Sequence, residues 1–269
     1  MTAPLLEAVS LRHLYPGAAR AAALVPGQRA EALDGASLHV GAHTRLALIG
    51  GNGSGKSTLL LHLNGTLRPT AGEVRFAGVP LDRSRAGLAA LRQRVALVFQ
   101  DPDDQLFAGT LAQDVSFGPL NLGLDAAATA ARVEAALLAV GLAGFAGLPL
   151  HMLSQGQRKR ASIAGALALR PEVLLLDEPT AGLDPEGVDT LLDHLDALHA
   201  EGLTVVFSTH DLALARHFAD AAAVMADGRV IATGPAGAIR TIRRCWRGRG
   251  CCRAARRPGW AERWGSWCS

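Results

Sequence analysis

Apolar residues along the chain form short runs separated by glycine, proline and charged residues, a pattern typical of alternating strands and helices. In the first hundred residues most of the runs have the length of a strand. The predicted strands span residues 5–15, 32–40, 45–49, 73–76 and 95–99. A glycine-rich loop follows the third strand, and Lys56 to Leu63 predicts a helix closed by Gly65.

The middle of the chain is predicted to be helical. Asp125 is expected to cap a helix that ends at Gly141, and a second helix is expected to run from near Ser154 to about Leu169. The uninterrupted apolar run Val173–Leu176 is typical of a strand buried on both faces of a parallel sheet.

The remaining pattern completes an α/β fold. Asp184 and Pro185 begin a helix with one apolar face, and a strand at 204–207 and a helix at 211–218 follow it. The apolar face consists of Val188, Leu191, Leu192, Leu195 and Leu198. Strands alternating with helices predict a mainly parallel sheet covered on both faces. The uncharged stretch 135–150 is shorter than the roughly 20 apolar residues of a membrane-spanning helix, so we interpret it as a helix end and a loop.

Composition and charge narrow the function classes. The chain has 269 residues, is 49% hydrophobic and carries a net charge of only +3, so it is not a nucleic-acid-binding polycation as a whole. All four Cys and all four Trp lie in residues 241–269, together with eight Arg and a single acidic residue, Glu262. The body therefore has no disulfide framework, which suits a reducing cytosol. We expect no signal peptide, because the N-terminus has no basic region followed by an apolar run.

The segment Gly50–Ser57 fits the phosphate-binding pattern G-x-x-x-x-G-K-[ST] between a strand and a helix. Its glycines allow backbone N–H groups to surround phosphate oxygens, and the helix N-terminus adds positive potential. Lys56 is expected to reach the β- and γ-phosphates, and Ser57 is expected to bind Mg²⁺. A chance glycine-rich turn is the alternative. The predicted ATP-binding residues here are Gly50, Asn52, Gly53, Ser54, Gly55, Lys56, Ser57 and Thr58.

Two further strand ends carry polar residues. Asp177 and Glu178 follow the buried run at 173–176. Since buried carboxylates need a cation, we expect Asp177 to bind Mg²⁺ and Glu178 to polarise the water that attacks the γ-phosphate. His210, at the end of the next strand, is a candidate for contacting the γ-phosphate. Solvated acids and a surface histidine are the alternatives.

With these motifs in this order, the chain resembles the ABC ATPases. The segment Leu153–Gln157 is similar to the signature of that family, although Gln155 stands where glycine is commonest. The resemblance implies a P-loop NTPase (RecA-like) fold with an N-terminal antiparallel β part. It also implies an inserted α-helical subdomain at about 101–158. In the family, Ser154, Gly156 and Gln157 would bind the ATP held by the opposite subunit.

Other family elements match residue by residue. Gln100 resembles the glutamine that contacts Mg²⁺ and faces the membrane partner, and we count it with the catalytic candidates Glu178 and His210. Asp184 lies in a segment similar to the D-loop, and Tyr15 resembles the aromatic residue that stacks on adenine. A buried structural tyrosine is the alternative, because the segment 16–31 after Tyr15 is longer than in the family pattern.

The segments 99–107 and 117–124 resemble the energy-coupling-factor and cobalt/nickel importer ATPases. This implies an ATP-hydrolysing subunit at the cytoplasmic face of the cell membrane, with ATP and Mg²⁺ as cofactors. Its expected partners are a second ATPase subunit, a transmembrane coupling subunit and a substrate-binding membrane subunit. No nucleic acid is expected. Cobalt, nickel and vitamins all stay open as cargo, as does pairing with a second copy or a paralogue.

The rival hypothesis is a soluble ABC-type ATPase that acts on DNA or ribosomes. Chromosome-structuring members need a long coiled coil between Gln100 and the signature, but only 52 residues separate Gln100 from Leu153. Translation-factor members carry two cassettes in one chain, whereas this chain has one. A small-molecule kinase is a weaker rival, because it would not need the segment 153–157.

Residues 1–240 are therefore predicted to form one ATPase domain, and the resemblance ends where the composition changes. Residues 241–269 are rich in Arg, Cys, Trp and Gly and have no periodicity. Two interpretations stay open: a basic arm for lipid headgroups or nucleic acid, or the product of a shifted reading frame at the end of the gene. In either case we expect a disordered tail without chemistry.

Overall fold

The computed structural model describes residues 4–17 and 30–238, which contain two sheets and seven α-helices. The strands are β1 Leu6–Leu14, β2 Glu31–Val40, β3 Arg45–Ile49, β4 Ala71–Phe76, β5 Val79–Pro80, β6 Val95–Val98, β7 Val173–Leu176, β8 Thr204–Thr209, β9 Ala221–Ala226 and β10 Arg229–Pro235. The helices are α1 Lys56–Leu63, α2 Arg85–Arg94, α3 Leu111–Asn121, α4 Ala126–Ala139, α5 Gln155–Leu167, α6 Pro185–Ala200 and α7 Leu212–Phe218. The predicted tail at 241–269 and most of the segment 16–31 lie outside the described residues.

The larger sheet has the strand order β10-β9-β3-β8-β7-β6 and is parallel except for β10. The mainly parallel sheet predicted from the sequence is therefore confirmed. Its central strands β7 and β8 are buried along their whole length, as their apolar runs indicate. Because parallel strands end at the same edge, the carboxyl ends of β3, β6, β7 and β8 meet there.

The smaller sheet is antiparallel, with the order β2-β1-β4-β5. On its inner face Leu6 and Ala8 pair with Val40 and Leu38, and all four side chains are buried. Their core also contains Leu59 of α1 and strand residues of the larger sheet. The antiparallel sheet thus covers α1 and one face of the parallel sheet, and the expected N-terminal antiparallel part is present.

Helices cover the other face of the parallel sheet. A second core joins Val115 of α3, Leu137 of α4, Ile163 of α5 and Leu191 of α6 to β7. Thr110 and Ser154 cap α3 and α5 through complete capping boxes, and side-chain caps also begin α4 at Asp125 and α6 at Asp184. The caps at Asp125, Ser154 and Asp184 explain why the sequence predicted these three helix starts.

Some elements had not been predicted individually. The helix α3 contains Pro119 and lies in the segment used for the family resemblance, α2 spans Arg85–Arg94, and β9 and β10 follow the last predicted helix. Within the described residues no helix is long and apolar enough to cross a membrane. The stretch 135–150 ends a helix and continues as a loop with short 3-10 turns, as its glycines indicate.

Candidate functional site

The phosphate-binding loop connects β3 to α1 and depends on glycine at two positions. Gly55 has φ +102°, and a Cβ there would lie 2.7 Å from the carbonyl oxygen of Ala32. A Cβ on Gly50 would lie 2.5 Å from Oγ of Ser54. A side chain at either position would displace backbone or loop atoms, so this loop conformation requires glycine at both positions.

The loop presents unused donors. Gly55 precedes α1 without a side-chain cap among the described residues, which leaves the first N–H groups of the helix available. Oγ of Ser54 is buried and has no hydrogen-bond partner in the described part of the chain. A buried polar atom without a partner requires an explanation such as a water, an ion or a ligand. A helix N-terminus is a natural anion site.

A pocket of about 410 Å³ lies over this loop. It brings together most of the predicted nucleotide-binding residues with two of the catalytic candidates. The lining residues are Tyr15, Ala32, Asn52, Gly53, Ser54, Gly55, Lys56, Ser57, Thr58, Gln100 and Glu178.

Lys56 and Glu178, which both line the pocket, meet there. Both side chains are buried, and Lys56 Nζ lies 3.4 Å from Glu178 Oε1 while it donates to the carbonyl oxygen of Gly50 at 2.9 Å. Glu178 directly follows Asp177 at the end of β7 and has a left-handed backbone with φ +42°. A non-glycine residue in this region is strained. Such strain is typical of a functional position.

Residues at the end of β8 hold the two carboxylates. His210 is exposed, and its Nδ1–H donates to Oε2 of Glu178 at 3.1 Å. Ser208 is fully buried, accepts from the N–H of Glu178 at 2.8 Å, and donates its hydroxyl to Oδ1 of Asp177. Sequence reasoning missed Ser208. A serine that directly follows the apolar residues of the strand, two positions before the candidate histidine, was the available signal.

Tyr15 also lines the pocket. Its hydroxyl lies 3.2 Å from Oγ1 of Thr58, and its ring stands edge-on to that of His13 at 4.6 Å. His13 in turn contacts His62 on α1. Tyr15 is 39% exposed. This exposure disfavours the alternative of a buried structural tyrosine and leaves part of the ring free for a ligand.

His62 is fully buried and neutral. Its Nδ1–H donates to the carbonyl oxygen of Thr58 at 2.7 Å. The pKa of His62 is lowered to about 4, mainly by desolvation on burial, and the nearby His13 and Arg83 act in the same direction. His62 is therefore uncharged at neutral pH.

Seven predicted site residues are not among those that line this pocket: Gly50, Ser154, Gly156, Gln157, Asp177, Asp184 and His210. Ser154 is exposed, caps α5 by accepting from Gln157 N–H, and is followed by Gly156 in the first turn. Asp184 caps α6 by accepting from the N–H of Gly187. The two helix starts are formed as predicted, but within the described chain they are not part of the wall over the phosphate loop.

Comparison with known proteins gives consistent matches. The family model described as "ABC transporter" matches residues 33–181. The chain is 53% identical over 236 residues to the cobalt import ATP-binding protein CbiO of Rhodobacter capsulatus, covering 88% of this chain and 80% of that protein. It is 50% identical over 202 residues to the energy-coupling factor transporter ATP-binding protein EcfA of Methanocaldococcus jannaschii, covering 75% and 72%.

A solved structure matches as well. The chain superimposes on cbiO1 of Clostridium perfringens, described as part of the ABC transporter complex cbiONQ, with a TM-score of 0.78 and 38% identity. The match covers 91% of this chain and 93% of the other. The likeness thus extends over both sheets and the helices, and is not confined to the phosphate loop.

Proposed function

We propose a mechanism, partners and a cargo for this chain, which belongs to the ABC transporter family and is an ATP-hydrolysing subunit of an importer of the energy-coupling factor type. The observation that carries the mechanism is the meeting of Lys56 and Glu178 at 3.4 Å in the pocket. A phosphate-binding cation and a candidate base lie side by side there, with unused backbone donors around them.

ATP binding is proposed to use the whole lining of the pocket. The N–H groups from Asn52 to Thr58 surround the phosphates, Lys56 pairs with their charge, and the exposed part of Tyr15 stacks on adenine. The orphaned hydroxyl of Ser54 gains a partner when phosphate oxygens enter the loop.

Hydrolysis is proposed to use Glu178 and His210. Glu178 accepts a proton from the attacking water, and His210, which already donates to Oε2 of Glu178, orients that carboxylate and contacts the γ-phosphate. Ser208 keeps Asp177 and Glu178 in fixed positions through its two hydrogen bonds.

The residues around the pocket fit Mg²⁺. The hydroxyl of Ser57, the amide oxygen of Gln100 and the carboxylate of Asp177 are hard oxygen donors, which Mg²⁺ prefers, and the first two line the pocket. Bound Mg²⁺ would neutralise charge on the β- and γ-phosphates. In the proposal these three side chains hold the ion.

The signature and D-loop residues are proposed to act on a second ATPase subunit. Ser154, Gly156, Gln157 and Asp184 do not line the pocket over the phosphate loop of their own chain, and Ser154 and Asp184 are exposed. A head-to-tail pair would bring the start of α5 to the γ-phosphate held by the other subunit. We propose that closure of this pair is the power stroke, and that the segment at Gln100 transmits the movement to the membrane partner.

An aromatic pair near Gln100 is the proposed contact with the membrane subunits. Phe107 and Phe117 are 66% and 51% exposed, and their rings meet edge-on at 4.9 Å. Contiguous exposed apolar surface commonly marks a protein interface. We propose that a transmembrane coupling subunit docks here and that a substrate-binding membrane subunit completes the importer. The ATPase would then lie peripherally on the cytoplasmic face of the membrane.

The proposed cargo is cobalt. The proposal rests on the likeness to a cobalt import ATP-binding protein, which covers 88% of the chain. Nickel and vitamins are the alternative cargoes. The experiment is cobalt uptake, measured as cell-associated metal at limiting supply, in cells that lack the gene and carry either the wild type or Lys56→Ala. Uptake restored by the wild type only is the expected result, whereas equal uptake in both strains would exclude cobalt.

A second experiment tests the membrane partners. The tagged chain is purified from solubilised membranes of its own cells, and its partners are identified by mass spectrometry. With the wild type we expect a membrane scaffold and a small membrane protein to be recovered. Both should be lost with Phe107→Ser and retained with the control Leu138→Ser, since Leu138 is equally exposed (68%) but lies on α4. Recovery with ribosomal or DNA-repair proteins instead would favour the soluble rival.

A further inference from the structure

Lys159 is a buried cation that the mechanism above does not use. It lies in the second turn of α5 and is only 1% exposed. The chain contains two lysines, and the other one is Lys56 of the phosphate loop. A fully buried ammonium is costly unless it is paired and hydrogen-bonded, so its contacts should account for its presence.

Those contacts are on the backbone next to the pocket. Lys159 Nζ donates to the carbonyl oxygen of Phe99 at 3.1 Å and to that of Gln100 at 2.6 Å. Both residues directly follow β6, so they lie beyond the residues that pair this strand with β7. One side chain of α5 therefore fixes two successive carbonyl groups of the segment that carries Gln100.

Gln105 holds the same segment from its other side. Its Oε1 accepts from the N–H of Phe99 at 3.3 Å, and its Nε2 donates to the carbonyl oxygen of Ser162 on α5 at 2.9 Å. Lys159 thus holds the carbonyl groups and Gln105 holds the N–H group. Each of the two side chains bridges α5 and the segment at 99–100.

The charges around Lys159 favour this position. The pKa of Lys159 is lowered to about 8, because desolvation outweighs the opposing effect of the carboxylates of Asp177, Asp101 and Glu178. The ammonium therefore lies in the field of the same two acids, Asp177 and Glu178, that are proposed to serve hydrolysis. A compact ammonium with three donors can reach two adjacent carbonyls, which the larger planar guanidinium of arginine does less readily.

We propose that Lys159, assisted by Gln105, is a positioning residue that sets Gln100 in the nucleotide pocket from α5. The start of α5 carries Ser154 and Gly156, so Gln100 and these signature residues move as one unit. When α5 contacts the nucleotide of the partner subunit, its movement is thereby transmitted to Gln100 in the pocket of its own chain. This inference rests on the proposed ATPase mechanism and adds the physical link within one subunit.

The test uses Lys159→Met in the full-length chain, which removes the charge and the donors but keeps an unbranched apolar side chain. Because Gln100 loses its position while the phosphate loop is untouched, kcat should fall about tenfold or more, and the ATP dissociation constant should change by less than about threefold. The matched control is Arg160→Met, since Arg160 also donates from α5 to a carbonyl, that of Val140, away from the pocket.

A double-mutant cycle separates positioning from a merely structural role. In the Gln100→Ala background the Lys159→Met change should lower kcat by no more than about twofold, because its effect acts through Gln100. If Lys159→Met does not fold, Gln105→Met is used in the same cycle. The same loss of kcat in both backgrounds, or unchanged kcat in the wild-type background, overturns the inference. A wild-type chain that hydrolyses no ATP refutes the proposed function instead.

Discussion

Replacing Ser208 by alanine is expected to weaken both the fold and the catalytic centre. The hydroxyl of Ser208 accepts from the N–H of Glu178 and donates to Asp177, and the residue is completely buried. Alanine leaves the N–H of Glu178 without its partner and removes a charge-assisted hydrogen bond from Asp177. The structure offers no second donor for that carboxylate oxygen among the described hydrogen bonds.

The size of the effect follows from these two losses. A buried donor left without a partner costs about 1–3 kcal/mol of the free energy of unfolding. For a domain of this size each kcal/mol lowers the melting temperature by about 2–4 °C. Displacement of the two carboxylates should lower kcat by about ten- to a hundredfold. ATP affinity should change little, because Lys56 and the phosphate loop keep their contacts.

The assay compares Ser208→Ala with Ser162→Ala by thermal unfolding and by steady-state ATP hydrolysis. Ser162 is also fully buried, but its hydroxyl only back-bonds to the carbonyl oxygen of Arg158 one turn earlier in α5. We therefore expect Ser162→Ala to cost less than about 1 kcal/mol and to leave kcat near the wild-type value. Equal melting temperatures and equal kcat for the two variants would refute the role assigned to Ser208.

Two further predictions concern α1 and the loop before it. His62 has a pKa of about 4 in the folded protein against 6.5 in the unfolded chain, so the unfolded state binds a proton first as the pH falls. The free energy of unfolding therefore decreases between pH 6.5 and pH 4, by up to about 3 kcal/mol. A His62→Leu variant should lose this part of the pH dependence in urea unfolding, and an unchanged profile would contradict the prediction. Gly55→Ala should cost about 1–3 kcal/mol and weaken ATP binding at least about tenfold, because φ is +102° and a Cβ would meet the carbonyl oxygen of Ala32. The control Gly144→Ala, which meets nothing within 4 Å, should change stability by less than about 0.5 kcal/mol; equal ATP affinity in the two glycine variants would argue against the loop geometry.

Much of the candidate site could be predicted because its signals are local. The glycine loop before Lys56 has a fixed spacing, and its conformation follows from a few adjacent residues. The contact between Glu178 and His210 could be anticipated in outline, because both residues follow neighbouring parallel strands. The helix starts at Asp125, Ser154 and Asp184 could be predicted for a similar reason, since capping uses residues only three positions apart.

The missed elements depend on tertiary contacts. The helix α2 buries only Leu91, so its apolar periodicity is weak, and β9 is a run of alanines with low strand propensity that is fixed by pairing with β3. The role of Lys159 was invisible because its acceptors lie 59 and 60 residues earlier in the chain. A buried lysine in sequence is indistinguishable from a solvated one until its helix is packed.

In the proposed mechanism this chain hydrolyses ATP as one of two subunits that close around it. The most direct test is Glu178→Gln, which keeps the shape of the side chain and removes its basicity. We expect ATP binding near the wild-type affinity, kcat lowered by about a hundredfold or more, and an ATP-dependent pair of ATPase subunits detected by size-exclusion chromatography with light scattering. Adding Ser154→Arg should abolish the pair, because the signature would no longer reach the partner's γ-phosphate. Unchanged turnover by Glu178→Gln, with no pair formed in the presence of ATP, would contradict this mechanism.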